Sequence, residues 1–482
     1  MMKILNISTE CYPAAKAGGL GDVVGALPIY LNKLDCEASV IIPKYSTDWM
    51  VSKKWKKKSQ FELESGNNTY QITIFILNDT SFPYNLYAVD IPTLFDRKSI
   101  YLDENGKGYK DEAERNVVFQ LSVLTWLCRL KYKFDVLHCH DHMSGLIPFL
   151  IDHSRVFSRL KKTPTLFTIH NGQYQGIFNW SKSELLPAYE PSARGLLEWD
   201  GKINSLACAI KCSWMVSTVS PSYMKELKEN FGSLTSLIRH ESSKCIGILN
   251  GIDTSVWNPK TDSLLPITFK TEISRFKIDN KKELSSKLNI GSNKVWISFI
   301  GRLAYEKGAD LLAPAIDQLL TKKREIIFVL LGSGDENVAI ALKQLEIKYP
   351  KNISVTIAYN EALSHQIYAA SDFLMMPSRF EPCGLNQMYA MRYGTIPIVN
   401  HTGGLIDTVP DIDFDGNGFD YTPNNVEKLC QVIIRAVSFT KNKEDMEKLR
   451  QKIVALDFSW EKSAQEYKNI YQNLIILSNH AS

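Results

Sequence analysis

Short apolar runs rich in β-branched residues alternate along the chain with longer segments in which apolar residues recur at helical spacing. The short runs predict strands at residues 3–8, 38–42, 72–77, 86–89, 135–138, 165–169, 215–219, 245–249, 295–300, 326–331, 353–357, 373–376 and 396–399. Helical spacing is clearest at 114–130, 310–320 and 338–347. Because strands that alternate with helices are typical of parallel sheets covered on both faces, the pattern predicts an α/β fold with doubly wound sheets.

The alternation restarts in the second half of the chain, which predicts two domains. A polar, lysine-rich stretch at 258–293 separates the two series, and we place the junction there or just before it, near Gly251. A last helical pattern follows no strand, so we expect this final part to pack back on the first domain. The predicted parts of the chain are 1–250, 251–459 and 460–482.

Composition and charge narrow the class of protein without identifying it. The 482 residues are 44% hydrophobic and 22% charged, and the net charge of +4 gives no reason to expect a nucleic-acid partner. The nine cysteines lack paired spacing and are expected to be reduced thiols. No run approaches the roughly 18 apolar residues of a membrane span, and the start lacks the apolar core of a secretory signal. We therefore expect a cytoplasmic protein with no membrane partner.

The most informative segment is 378–387, which follows the apolar run 373–376 and precedes a helical pattern. In open parallel sheets, ligands bind beyond the carboxyl ends of the strands. Pro382 and Gly384 suit the turn before a helix, whose first amides attract anions. The neighbouring Glu381 can accept hydrogen bonds from hydroxyls. This combination suits a ligand that is part phosphate and part sugar.

Two further loops of the second half also suit an anion. Arg302 and Lys307 follow the predicted strand 295–300 and can both reach a phosphate, the alternative being a surface pair beside acidic neighbours. Thr402 and Gly403 begin another predicted helix and can hold phosphate oxygens, the alternative being a tight strand-to-helix turn. Several such loops together favour a ligand with at least two phosphates.

The first half contributes a glycine loop and two polar strand ends. Lys16 precedes Gly18 and Gly19, which let the backbone approach a phosphate or sugar closely; a flexible loop with a solvated lysine is the alternative. His170 could touch a sugar through its ring or its carbonyl, although a lone histidine is more often structural. The His-Cys-His-Asp-His run at 138–142 suggests a metal site, but a hydroxyl-accepting Asp141 is favoured because no further ligands cluster nearby.

Aromatic and basic residues supply weaker signals. Tyr101 and Tyr359 lie in predicted loops and could stack on a nucleobase, although aromatic residues more often pack. A basic run at 53–58 surrounds Trp55 and predicts a solvated loop, with a polysaccharide contact through Trp55 as the alternative.

Taken together, these segments are similar to the bacterial glycogen synthase and plant starch synthase family. The resemblance runs almost end to end, whereas other retaining glycosyltransferases share only the glycines, the Arg/Lys pair and a glutamate. The matching segments are 16–22, 135–141, 168–176, 218–221, 250–253, 257–259, 301–312, 377–387 and 402–409.

The resemblance implies a GT-B architecture, in which two doubly wound domains flank a cleft. It implies transfer of glucose from a nucleotide sugar, with ADP-glucose favoured over UDP-glucose, to the non-reducing end of an α-1,4-glucan such as glycogen. The anomeric configuration would be retained, and neither a metal nor a cofactor is expected.

The resemblance also implies roles for second-domain residues. Arg302 and Lys307 would bind the diphosphate and stabilise the leaving nucleotide. Glu381 would hold the glucose hydroxyls together with the backbone amides of Cys383, Gly384 and Leu385.

In the first domain, Lys16 and the amides of Gly18 and Gly19 would meet the donor. The carbonyl of His170 would lie near the reacting carbon, and Asp141 matches a carboxylate on the sugar or acceptor side. Both tyrosines named above match positions that sandwich the nucleobase.

The sequence departs from the family pattern mostly in the first domain. The departures are His142, Met143, Gly172, Gln173, Ala207, Trp214, Glu112 and Asn116, where the family usually has other residues. They leave two alternatives to an active glucan synthase: a retaining transferase with another sugar or acceptor, and a glucan-binding protein that has lost catalysis.

Overall fold

A computed structural model of the chain describes residues 1–104, 106–322 and 325–480. It divides into two compact units: unit 1 comprises Met1–Leu249 and the helix that begins at Trp460, and unit 2 comprises Asn250–Ser459. The last two residues of the predicted part 460–482 lie outside the described residues. Within the described ranges, every helix is too short or too polar to cross a bilayer.

Unit 1 is built on a nine-stranded sheet in the order β12-β11-β7-β6-β1-β2-β5-β4-β3, parallel except where β4 pairs with β5 and β3. A small antiparallel sheet is formed by β8, β10 and β9. The strands are β1 Met2–Ile7, β2 Cys36–Pro43, β3 Trp55–Ser65, β4 Asn68–Leu77, β5 Leu86–Asp90, β6 Val136–His140, β7 Thr165–Ile169, β8 Ile177–Phe178, β9 Glu198–Trp199, β10 Lys202–Asn204, β11 Met215–Thr218 and β12 Cys245–Gly247.

The helices of unit 1 cover the large sheet. Those of the first 249 residues are α1 Gly19–Lys33, α2 Asp48–Ser52, α3 Glu112–Arg129, α4 Ile147–His153, α5 Arg194–Leu197, α6 Ser205–Cys212, α7 Pro221–Glu229 and α8 Thr235–His240. The last helix of the chain, α17 (Trp460–His480), packs into the hydrophobic core between α1 and the large sheet. Its apolar stripe includes Trp460, Tyr467 and Leu474, which are buried against Leu27 of α1 and Val136 of β6.

Unit 2 contains a fully parallel six-stranded sheet in the order β15-β14-β13-β16-β17-β18. Its strands are β13 Val295–Leu303, β14 Ile326–Gly334, β15 Ile353–Ile357, β16 Phe373–Met376, β17 Ile396–Asn400 and β18 Phe419–Tyr421. Its helices are α9 Ile273–Leu288, α10 Leu312–Thr321, α11 Glu336–Lys348, α12 Glu361–Ala370, α13 Asn386–Arg392, α14 Gly404–Thr408, α15 Val426–Phe439 and α16 Lys443–Val454. The prediction of an α/β fold with parallel sheets is confirmed.

Two segments differ from the sequence-based expectation. The basic run around Trp55 is not a loop, because it leads into β3, the edge strand of the large sheet, and the indole of Trp55 donates to the carbonyl of Met50 at 2.9 Å. Exposed lysines on an edge strand oppose pairing with other chains, which accounts for the run in structural terms. The polar stretch 258–293 contains the whole of α9, a helix that the sequence analysis did not predict.

Candidate active site

Three loops of unit 2 lie side by side because they follow neighbouring strands. β13, β16 and β17 are consecutive in the sheet, so the loops that leave their carboxyl ends meet at one edge. The amides of Arg379 and Phe380 donate to the carbonyl of Glu306 at 2.8 and 3.3 Å, and the amide of Gly404 donates to the carbonyl of Glu381 at 3.0 Å. The structure thus brings together the three second-domain loops that the sequence singled out.

The turn at Gly403 and Gly404 packs directly on the Glu381 loop. A Cβ atom at Gly403, whose φ is 47°, would lie 2.0 Å from the carbonyl oxygen of Glu381, and one at Gly404 would lie 2.4 Å from that of Cys383. Glycine is required here because the two backbones touch. The amide of Gly404 is already bonded within the protein, and phosphate binding by Thr402 and Gly403 stays a prediction.

The centre of this site is an ion pair between Lys307 and Glu381. Lys307 Nζ lies 2.7 Å from both carboxylate oxygens of Glu381, and Ser378 Oγ donates to Oε2 at 2.8 Å. Glu381 is only 6% exposed, so these donors rather than water hold its charge. An ammonium has three hydrogens, of which two are directed at Glu381. One hydrogen of Lys307 therefore remains for a ligand oxygen, and the carboxylate retains lone pairs for a hydroxyl.

Two arginines at this edge of the sheet, Arg302 near the end of β13 and Arg379 after β16, are held differently. Arg302 Nη2 lies 2.7 Å from Glu306 Oε1, and the Arg302 side chain is 65% exposed. An exposed pair of this kind contributes about 0–1 kcal/mol, so a diphosphate can replace Glu306 at little cost. Arg379 makes a two-pronged contact with Asp310 and lies 3.9 Å from the ring of Tyr305, which fixes the loop. Arg302 is thus the more easily released cation.

In unit 1, the loop before α1 is braced by Glu10, a residue that the sequence analysis missed. Glu10 Oε2 accepts hydrogen bonds from the amides of Ala17 and Gly18 at 2.6 and 2.9 Å, and Oε1 accepts one from the Tyr101 hydroxyl at 2.6 Å. The Gly18 amide, expected to meet the donor, is therefore bonded within the protein. The available signal was a carboxylate soon after the first predicted strand, but the sequence does not show which amides it meets.

Lys16 and Gly19 of the same loop are exposed. Lys16 Nζ lies 2.7 Å from Asp22 Oδ1 and 5.5 Å from the centre of the Tyr12 ring. Because both side chains of the Lys16–Asp22 pair are partly exposed, the pair adds little stability and can exchange for a ligand anion.

The two tyrosines expected to contact a base lie in different environments. Tyr101 belongs to unit 1, where its ring is half-buried and its hydroxyl donates to Glu10. Tyr359 belongs to unit 2, follows β15 and is 82% exposed. Tyr359 thus presents most of its ring to solvent, and base stacking by either tyrosine stays a prediction.

Asp141 and His170 form the polar ends of β6 and β7. Asp141 Oδ1 accepts hydrogen bonds from the amides of His170 and Asn171 at 2.7 and 3.3 Å. Burial raises the pKa of Asp141 to about 6 and lowers the pKa of His170 to about 3. The carboxylate therefore shapes the backbone at His170, whose ring is neutral at pH 7. Direct contact of Asp141 with a sugar hydroxyl stays a prediction.

Replacing Asp141 with Asn should make the stability of the protein less dependent on pH. The pKa of Asp141 is raised on folding from its usual value near 4 to about 6, so folding favours the protonated form. This contribution is fully present below about pH 4 and is lost as the pH rises through 6, a change of about 3 kcal/mol. Calorimetric melting from pH 4 to 7 should show the variant gaining on the wild type as the pH rises. A constant difference between the two proteins would contradict the raised pKa.

The histidines of the 138–142 segment are bonded to protein groups. The ring nitrogens of His138 lie 2.6 Å from the Thr168 hydroxyl and 2.8 Å from the Tyr471 hydroxyl. Among the residues that the structure describes, no group of three or more His, Cys, Asp or Glu side chains is placed to hold a metal ion.

Two departures from the family pattern face each other in unit 1. His142 Nε2 lies 3.7 Å from Glu112 Oε1, and the proximity of the His142 ring lowers the pKa of Glu112. Glu112 and Asn116 line a cavity of about 250 Å³ together with Gly176 and Ser205. Two of the departures therefore line one cavity of this unit, and a third, His142, contacts one of them.

The chain matches two protein families along its length. Residues 3–240 match the family described as starch synthase catalytic domain, and residues 280–453 match the family described as glycosyl transferases group 1. It is 43% identical to a glycogen synthase of Flavobacterium johnsoniae over 98% of this chain and 99% of that protein. It is 36% identical to a glycogen synthase of Alkaliphilus metalliredigens over 98% of this chain and 100% of that protein.

Solved structures give the same picture. The catalytic domain of starch synthase IV from Arabidopsis thaliana, bound to ADP and acarbose, superposes with a TM-score of 0.87 at 32% identity, covering 98% of this chain and 99% of that one. A sucrose-phosphate synthase from Thermosynechococcus elongatus superposes with a TM-score of 0.62 at 16% identity, covering 99% of this chain and 100% of that one, and so shares the fold alone.

Proposed function

The chain belongs to the glycogen and starch synthase family of glycosyltransferases, and from this premise we propose that it transfers glucose from ADP-glucose to the non-reducing end of an α-1,4-glucan. The observation that carries the proposal is the ion pair of the partly exposed Lys307 with the buried Glu381 at the carboxyl ends of the unit 2 strands. In this pair, a cation that can bind a diphosphate lies beside a carboxylate that can accept hydrogen bonds from sugar hydroxyls. A nucleotide sugar has the same two groups next to each other, a diphosphate and a sugar.

The proposed chemistry requires stabilisation of the leaving nucleotide. As the bond between glucose and the diphosphate breaks, negative charge grows on the phosphate oxygens. Lys307, held by Glu381, supplies positive charge there from a fixed position, and Arg302 supplies a second positive charge. Because the charge on the phosphate oxygens grows as the bond breaks, both cations stabilise the transition state more than the ground state. We assign Arg302 to the diphosphate after it parts from Glu306.

We assign the sugar to Glu381 and to the backbone amides of Cys383, Gly384 and Leu385. Because the glucose is held from one side in this way, the diphosphate departs from one defined face of the anomeric carbon. The acceptor hydroxyl attacks from that same face as the bond to the diphosphate breaks, and its proton passes to an oxygen of the departing diphosphate. Attack from the face that the diphosphate leaves accounts for retention of configuration. In this scheme the carbonyl of His170 lies near the reacting carbon.

The remaining donor contacts are proposed for both ends of the nucleotide sugar. Lys16 and Gly19 contact it through the loop before α1, with Gly18 shaping that loop, and Thr402 and Gly403 contact a phosphate. Tyr101 and Tyr359 contact the adenine, and Asp141 supports the sugar or acceptor side through the His170 backbone that it holds.

A donor competition should identify the nucleotide. With glycogen as primer and equal concentrations of ADP-glucose and UDP-glucose, we expect ADP to be the main product released, with glucose added to the primer by α-1,4 bonds. Product nucleotides separated by chromatography, and the chains digested with a glucosidase specific for that linkage, provide the measurement.

Two outcomes would contradict the proposal in different ways. Release of mostly UDP would retain the glucan synthase and change the donor. Binding of glycogen without release of either nucleotide diphosphate would indicate a glucan-binding protein that has lost catalysis.

A further inference from the structure

Three buried histidine rings lie in a row beneath the strand ends of unit 1. His138 and His140 lie on one face of β6, with ring centres 3.9 Å apart, and His170 follows β7 with its ring centre 5.2 Å from that of His140. Burial lowers the pKa of all three rings, to about 3 for His170. Each ring is therefore neutral at pH 7 and carries a single proton, whose position depends on its hydrogen-bond partners.

Asn6 of β1 determines the proton of His140. The side-chain amide of Asn6 donates from Nδ2 to the carbonyl of Ser39 at 3.2 Å, which turns Oδ1 towards His140. Asn6 Oδ1 lies 3.1 Å from His140 Nε2. Because a carbonyl oxygen can only accept, the single proton of His140 is on Nε2. Nδ1 of the same ring is then an acceptor.

The proton of His170 follows from that of His140. His140 Nδ1 lies 3.0 Å from His170 Nε2, and because the first atom is an acceptor, the second must carry a hydrogen. His170 thus holds its single proton on Nε2, which leaves Nδ1 as an acceptor. Through two hydrogen bonds, the orientation of the Asn6 side chain therefore determines the tautomer of His170.

We propose that Asn6 and His140 are positioning residues that hold His170 in the Nε2-protonated tautomer, so that its ring meets the sugar as a hydrogen-bond acceptor at Nδ1. The catalytic consequence of this inference rests on the proposed function, because a hydroxyl of the bound sugar is the group that would donate a hydrogen bond to Nδ1. Without the chain, His170 could place its proton on either nitrogen, and the form protonated on Nδ1 would meet a hydroxyl as a donor.

The tautomer can be read directly from the resting protein. We expect nitrogen-15 NMR of the full chain, labelled on its histidine rings, to show His170 protonated on Nε2, with its signal assigned by its loss in His170→Gln. A proton on Nδ1 would overturn the proposal. Because no substrate is present, this result stands whether or not the chain transfers glucose.

Variants then test the chain of hydrogen bonds. Asn6→Leu removes the acceptor at similar volume, and His140→Phe keeps a ring but removes both bonds. Each should move the His170 signal towards a mixture of tautomers. Each should also lower kcat in proportion to the fraction of His170 that has lost the Nε2 proton, which is about twofold for an equal mixture. Two different substitutions guard against the failure of one to fold, which melting curves would reveal.

His138→Phe is the matched control. His138 is as buried as His140 and lies on the same strand, but it is bonded to Thr168 and Tyr471 and not to His170. This variant should leave the tautomer of His170 unchanged. An unchanged tautomer in both test variants, or a changed tautomer with wild-type kcat, would overturn the positioning role.

Discussion

Replacing Lys307 with Ala should lower kcat about 10²–10³-fold, the effect of removing one fixed donor from developing charge. The ammonium lies 2.7 Å from both oxygens of Glu381, so its loss also leaves a buried carboxylate with Ser378 as its remaining side-chain donor. We therefore expect a lower melting temperature as well as slower turnover. Steady-state rates with ADP-glucose and glycogen, beside a calorimetric scan, separate the two effects.

Lys348→Ala is the matched control for that substitution. Lys348 lies on α11 of the same unit and its side chain is 55% exposed in a pair with Asp317, so its removal should change neither the rate nor the melting temperature appreciably. Turnover within a few-fold of wild type in Lys307→Ala would contradict the assigned role.

Replacing Glu381 with Gln should lower kcat/KM roughly 10²–10³-fold while leaving the fold intact. The substitution keeps the shape of the side chain but removes the negative charge that Lys307 pairs with and that glucose hydroxyls would meet. A hydrogen bond to a charged group contributes about 1.5–3 kcal/mol, and two such bonds account for the expected loss. Initial rates over a range of ADP-glucose concentrations provide the measurement.

Glu427→Gln offers the comparison, since Glu427 is an exposed carboxylate on α15 of the same unit. It should leave kcat/KM unchanged. If Glu381→Gln kept the wild-type value with a normal melting temperature, the sugar contact would have to lie elsewhere.

Much of the fold can be predicted from the sequence because the buried strands of parallel sheets have nearly continuous apolar sequences. β15 and β16 begin and end at the predicted residues, and every residue of β16 is buried. β3 was missed because its exposed lysines resemble a solvated loop. α9 was missed because its polar residues include Lys277, which is buried and donates to the carbonyl of Tyr368 at 2.7 Å. A lysine that bonds to carbonyls inside a domain has no signature along the chain.

The sequence was sufficient to predict which strand ends form the candidate site. Adjacent strands bring their loops to one edge, so the meeting of the Arg302, Glu381 and Thr402 loops could be expected. The pairing of Lys307 with both oxygens of Glu381 depends on tertiary distances that spacing does not encode. Glu10 was missed for the same reason. Its partners include backbone amides, and since nearly every residue has an amide, the sequence does not indicate which ones a carboxylate will bind.

The role of the unit 2 cations is tested most directly by a crystal structure of the full chain with ADP bound. We expect nitrogens of Arg302 and Lys307 within about 3 Å of the diphosphate oxygens, with Arg302 parted from Glu306 and Lys307 still bonded to Glu381. An ADP diphosphate bound away from both cations, with the Arg302–Glu306 pair intact, would contradict the account.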